Sequence, residues 1–223
     1  MLCTANEDKG MQFYQYRDTL SFQDQYYSSA TNYQKLYINR YDLTIINQTD
    51  STLTVKPSSK LSKKFFNDRT TLAFIKQEFN TDKSIHFEKI IYHTTSCFGS
   101  CPTIDLEIDN KRNIYIDGQF YKDDSMFEND TIKSGQFIGK LNDALYNELV
   151  TIIQTSNIKT LTFPERDGAD APVTTLIIYY NGKRKYLKSM FPPTIASKLI
   201  QYLYQINEKA NLIRTTEKRI LEK

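Results

Sequence analysis

The stretch TTLIIYYNGKRKYLK, residues 174–188, decides the fold. Two extended runs, rich in β-branched and aromatic residues, flank Asn181-Gly182. A two-residue Asn-Gly turn supplies the positive φ values that a type I′ hairpin requires. A hairpin joins antiparallel strands, so this sheet is not built from parallel crossover units. Pro192 and Pro193 stop the second strand. A helix is predicted from about Thr194 to Asn211, with Ile195, Leu199, Tyr202, Leu203 and Ile206 on one stripe.

Working towards the N-terminus, FPERDGADAP reads as a loop and LNDALYNELVTIIQTSN as a helix. Leu141, Leu145, Leu149, Ile152 and Ile153 recur at helical spacing, and Asn142 suits the N-cap because its carbonyl accepts an orphan N–H. Further back, Ile104, Leu106 and Ile108 alternate with Asp105, Glu107 and Asp109, a strand with one wet face. HFEKIIYHT, NIYIDG and IKSGQFIGKL extend the meander. Strands and helices in the order β, β, β, α, β, β, α, with hairpin links, imply an α+β fold. One antiparallel β-sheet should carry the two helices packed on one face, burying Leu106, Ile108, Leu145, Leu149, Ile178, Leu199 and Leu203.

Three regions follow. Residues 1–82 hold an N-terminal arm and a β-hairpin region. Residues 1–30 are polar with scattered aromatics and read as a frayed or extended arm; LYINRYDLTIINQTDSTLTVKP reads as a hairpin closed by Pro57. SKKFF reads as a short helical piece, and TLAFIKQEF fits strand or helix equally. Residues 83–212 form the α+β domain. Residues 213–223 are a charged tail, expected to fray.

Charge is nearly balanced, with 29 basic against 26 acidic residues, and no basic arm or stripe points to nucleic acid. No apolar run reaches the ~18 residues of a membrane span. MLCTANEDKG contains no signal peptide core. Cys3 is expected to be a free surface thiol. There is no glycine-rich phosphate loop, G-x-S-x-G or H-E-x-x-H.

The segment SCFGSCPTIDLEIDNKRNIYIDG (96–118) has a C-x-G-x-C-P turn, then a strand, a turn, and a short strand ending in glycine. It resembles the opening of the domain of unknown function 6438 family. DAPVTTLIIYYNGKRKYL (170–187) resembles that family's second block. The resemblance spans about residues 85–207. It implies a bacterial protein of this fold and no catalytic assignment.

The turn itself admits four readings. Cysteines four apart in a tight turn fall within disulfide reach, about 4.4–6.8 Å between Cα atoms. Gly99 permits positive φ and Pro102 sets an extended exit. Cys97 and Cys101 are therefore a disulfide or redox candidate, with Gly99 and Pro102 as turn support. Reduced, inert thiols are the second reading and thiol redox chemistry the third. The fourth is zinc or copper held by His86, His93, Cys97 and Cys101, since both metals take imidazole and thiolate. C-x3-C-P also resembles the copper-binding turn of Sco-type chaperones, although there a helix follows. Two histidines seven apart on a regular strand face opposite sides, which weighs against one shared site.

Other clusters have ordinary explanations. Asp105, Glu107, Asp109 and Asp117 read as a solvated strand face, and Lys183, Arg184, Lys185 and Lys188 as a basic hairpin tip. ERDGAD (165–170) is a calcium-loop fragment without the closing glutamate. The sequence favours a non-enzymatic binding or scaffolding domain, with no cofactor and a protein as the open class of partner. The alternative is a thiol redox or copper-handling protein. A disulfide would favour a periplasmic or cell-surface location over a cytoplasmic one.

Overall fold

The computed structural model describes residues 11–122, 128–165, 168 and 170–223. The chain divides into two compact units, Met1–Asn80 and Thr81–Lys223.

The first unit is a five-stranded antiparallel meander: β1 (Gln12–Tyr16), β2 (Thr19–Tyr27), β3 (Leu36–Gln48), β4 (Thr52–Pro57) and β5 (Leu72–Ile75). Residues 12–27 are thus a hairpin, where a frayed arm is expected from the sequence. Tyr16 pairs with Thr19 across the turn Arg17-Asp18, and Arg17 itself takes the positive φ, 52°. No glycine or asparagine marks that turn, so its usual signal is missing. The expected β3–β4 hairpin is present, with a register shift at Ile46 that turns this side chain out to 55 % exposure. Leu20, Leu43, Val55 and Leu72 form the core. The short helix α1 (Lys60–Phe65) starts at a reciprocal capping box between Ser59 and Ser62. The ambiguous TLAFIKQEF resolves into β5 and a short 3-10 turn, Gln77–Phe79.

The second unit is a seven-stranded antiparallel sheet. Its strands are β6 (Phe87–Thr94), β7 (Thr103–Asp109), β8 (Asn113–Gln119), β9 (Gly135–Lys140), β10 (Thr174–Tyr180), β11 (Lys183–Ser189) and β12 (Leu212–Arg214). The order across the sheet is β11-β10-β6-β7-β8-β9-β12, which leaves β11 and β12 at the edges. Asn181 (φ 51°) and Gly182 (φ 69°) make the expected turn. Helix α2 (Asp143–Thr155) begins at Asn142, whose side chain accepts from the Leu145 N–H as the cap reading requires. Helix α3 (Ser197–Lys209) follows a 3-10 turn at Thr194–Ala196.

Both helices pack on one sheet face. Leu149, Ile153, Leu199 and Leu203 meet Ile90, Leu106, Ile108 and Ile178 in a single core. Leu145 is only partly buried at its margin. The opposite face carries a second cluster, Ile91, Tyr115, Ile177 and Leu221.

Leu221 corrects the reading of a fraying tail. Residues 212–214 pair with β9, the Thr215 N–H donates to the Gln136 carbonyl, and the rest of the segment lies across the second face. The Arg219 guanidinium sits 5.0 Å from the centre of the Tyr115 ring, and its backbone N–H donates to the Tyr115 hydroxyl. One buried leucine with polar anchors on either side holds this strap. Ile220 beside it is fully exposed.

Candidate functional site

The cysteine turn is residues 95–102, the link between β6 and β7. Thr94 closes its base. The buried hydroxyl donates to the Pro102 carbonyl at 2.9 Å and accepts from the Ile104 N–H at 3.1 Å. Thr95 ties the turn to the entry of β10, exchanging bonds with Val173: its N–H donates to the Val173 carbonyl, and its hydroxyl accepts from the Val173 N–H. Within the turn Cys97 and Cys101 are disulfide-bonded, with Cα atoms 5.4 Å apart. Gly99 has φ 135°, a conformation that a residue with a Cβ seldom adopts. Pro102 is buried at the exit. Both cysteines are half-buried, while Phe98 between them is 84 % exposed.

The structure does not gather the four proposed metal ligands. His86 precedes β6, where its backbone is bonded to Asn181 of the hairpin turn. The eight residues of β6, roughly 26 Å of strand, separate it from the cysteine turn. His93 is buried on the second face, with Nδ1 2.5 Å from Asp105 Oδ1 and Nε2 2.6 Å from the Glu222 carbonyl oxygen. Each ring nitrogen thus faces an oxygen acceptor. No group of three or more His, Cys, Asp or Glu side chains among the described residues is placed to hold a metal ion.

The carboxylates on the second face are each engaged separately. The hydrogen bond from His93 pulls the Asp105 carboxyl below its ordinary value, against the opposing effect of burial. Glu107 lies 3.5 Å from the Lys89 ammonium. Asp109 accepts from the backbone of Lys111 and Asn113 and so shapes a turn. Asp117 accepts from Gln136 at 2.9 Å. At the hairpin tip, Arg184 pairs with Glu222 at 2.6 Å and the Lys185 ammonium donates to the Lys159 carbonyl at 3.1 Å. Half of the ERDGAD loop fragment, and Cys3, lie outside the described residues.

Sequence reasoning missed the strap that joins these groups. Its one signal is Leu221 within EKRILEK, which is too short for a period to show.

Residues 88–210 match the family described as Domain of unknown function (DUF6438), which is more than half of the chain. The chain belongs to this family. The DUF6438 segment contains the cysteine turn, both helices and every strand of the second sheet but β12, together with all of β6 except Phe87. The strap lies beyond it. No curated protein and no solved structure matches the chain. No helix among the described residues is long and apolar enough to cross a membrane.

Proposed function

We propose that the chain is a non-enzymatic binding or scaffolding module whose disulfide-stapled turn presents Phe98 to a protein partner. The exposure of Phe98 carries this reading. A large apolar side chain stands in water between two bonded cysteines, on a loop anchored at Thr94 and Thr95. Fixing such a loop beforehand lowers the entropy lost when an aromatic anchor docks. The bonded pair also supports an oxidising, extracytoplasmic setting. The rival role, thiol redox or copper handling, needs an accessible thiolate at this pair.

Two measurements separate the roles. Intact mass after alkylation, across a glutathione series, should show the pair staying oxidised. A photo-crosslinking residue at position 98 should give a defined adduct in cells, which the same residue at the exposed Ile220 does not. Rapid reversible reduction, or copper(I) bound stoichiometrically and lost in Cys97→Ser/Cys101→Ser, would establish the rival instead.

A further inference from the structure

Among the described residues strand β11 pairs only with β10 and forms one edge of the second sheet. Its register fixes which backbone groups remain. In a two-residue hairpin the flanking pair, Tyr180 with Lys183, exchanges both hydrogen bonds, and bonded pairs then alternate. Lys183, Lys185, Leu187 and Ser189 therefore bond to β10. The N–H and C=O groups of Arg184, Tyr186 and Lys188 point away from the sheet, and none has a backbone partner among the described residues.

A cleft of about 780 Å³ runs along this edge. Its far wall is the irregular segment 161–165. The backbone of Thr162, Phe163 and Glu165 there likewise has no hydrogen-bond partner among the described residues. Among the described residues, main-chain groups without a backbone partner thus occur on both walls of the slot, and on β11 they are the outward row that an open edge strand offers to another strand. The two sides of the slot differ. Leu161, Phe163 and Leu187 make the side towards the helices largely apolar, with Lys185 on that side bonded to the Lys159 carbonyl. Lys188 and Arg184 are exposed on the opposite side.

We propose that this slot binds an extended segment of a partner protein, which adds as a strand to β11 with apolar and acidic residues in alternation. Main-chain bonding to β11 would supply affinity, and the two unlike sides would select the alternation. The basic side chains favour acidic residues on the outer side, where Lys188 remains in addition to the Glu222-bound Arg184. The proposal concerns a surface distinct from Phe98 and stands without it.

The probe is a fluorescent, terminally blocked hexapeptide of alternating valine and glutamate, titrated into the full chain and followed by anisotropy. Saturable binding is expected. It should fall at least ~10-fold when alternate peptide nitrogens are methylated, and similarly with Tyr186→Pro. That proline removes an outward N–H and leaves the β10 ladder intact, the position at which an edge strand tolerates it. Lys188→Glu should shift preference towards the valine–lysine peptide, and keeps the test open if Tyr186→Pro does not fold. Phe98→Ser should leave hexapeptide binding unchanged, so this surface and the stapled turn fail independently. No binding at about 1 mM, or binding indifferent to N-methylation, would overturn the proposal. The lysines would then be guards against strand pairing at an open edge.

Discussion

At the scale of single residues, His93 joins three elements: its own strand β6, Asp105 on β7 and Glu222 on the strap. The Asp105 carboxyl is held low by its hydrogen bond from His93. The unfolded chain therefore binds this proton more readily than the folded one. The stabilisation is whole above the unfolded value, about 3.9, and is lost as pH falls through the lower folded value. Asp82, pulled to about 2 chiefly by its bond from Lys159, acts in the same direction between about pH 4 and 2. Urea midpoints should fall on acidification below about pH 4, and Asp105→Asn should make that fall shallower; parallel curves for variant and parent would refute the assignment. The disulfide acts more locally. A ring closed over a separation of four residues removes little loop entropy, on the order of 2 kcal/mol or less. Cys97→Ser with Cys101→Ser should lower stability by no more than that in urea unfolding.

Among the elements, α2 makes the most direct test of packing. Leu149 is completely buried between helix and sheet. Leu149→Ala should cost about 2–5 kcal/mol by urea unfolding, the range for emptying a core site. An unchanged midpoint would place the wrong face of α2 on the sheet. The strap offers a paired comparison. Leu221→Ala should cost up to about 2 kcal/mol, less than the full value of burying a leucine. Ile220→Ala, at a fully exposed neighbour, should stay within about 0.5 kcal/mol of the parent. Equal effects would mean that the strap is not docked as described. These elements also show what the sequence could convey. The β10–β11 hairpin and both long helices are legible because turn residues, caps and period agree. β1–β2 is hidden by its Arg-Asp turn, and the strap by having a single buried apolar side chain. In the candidate site the bonded turn and its glycine are legible, since neighbouring residues suffice to build it. The partners of His93 are not, because Glu222 lies 129 positions away.

For the whole molecule, the α+β class follows from element order, whereas strand order does not. Nothing in the alternation of β10 says that it will pair with β6. The clue is in β6 itself, where Ile90, Ile91 and Tyr92 are buried in succession. Consecutive apolar residues mark a strand covered on both faces, hence a central one. The seven-stranded sheet, its helices and its strap all fall within one unit that has its own core. A fragment of residues 81–223 should therefore unfold in a single cooperative urea transition, with dispersed amide resonances beforehand. A molten fragment would show that the first unit is required for the second to fold.

The strap has a consequence for biosynthesis. Every strand that it covers is translated before it. While residues 215–223 are still within the ribosome, Ile91, Tyr115 and Ile177 lack their Leu221 cover. Until the strap has docked, the reverse face of the sheet thus carries an apolar patch open to water. In such an interval a folding chain is most exposed to aggregation and most in need of a chaperone.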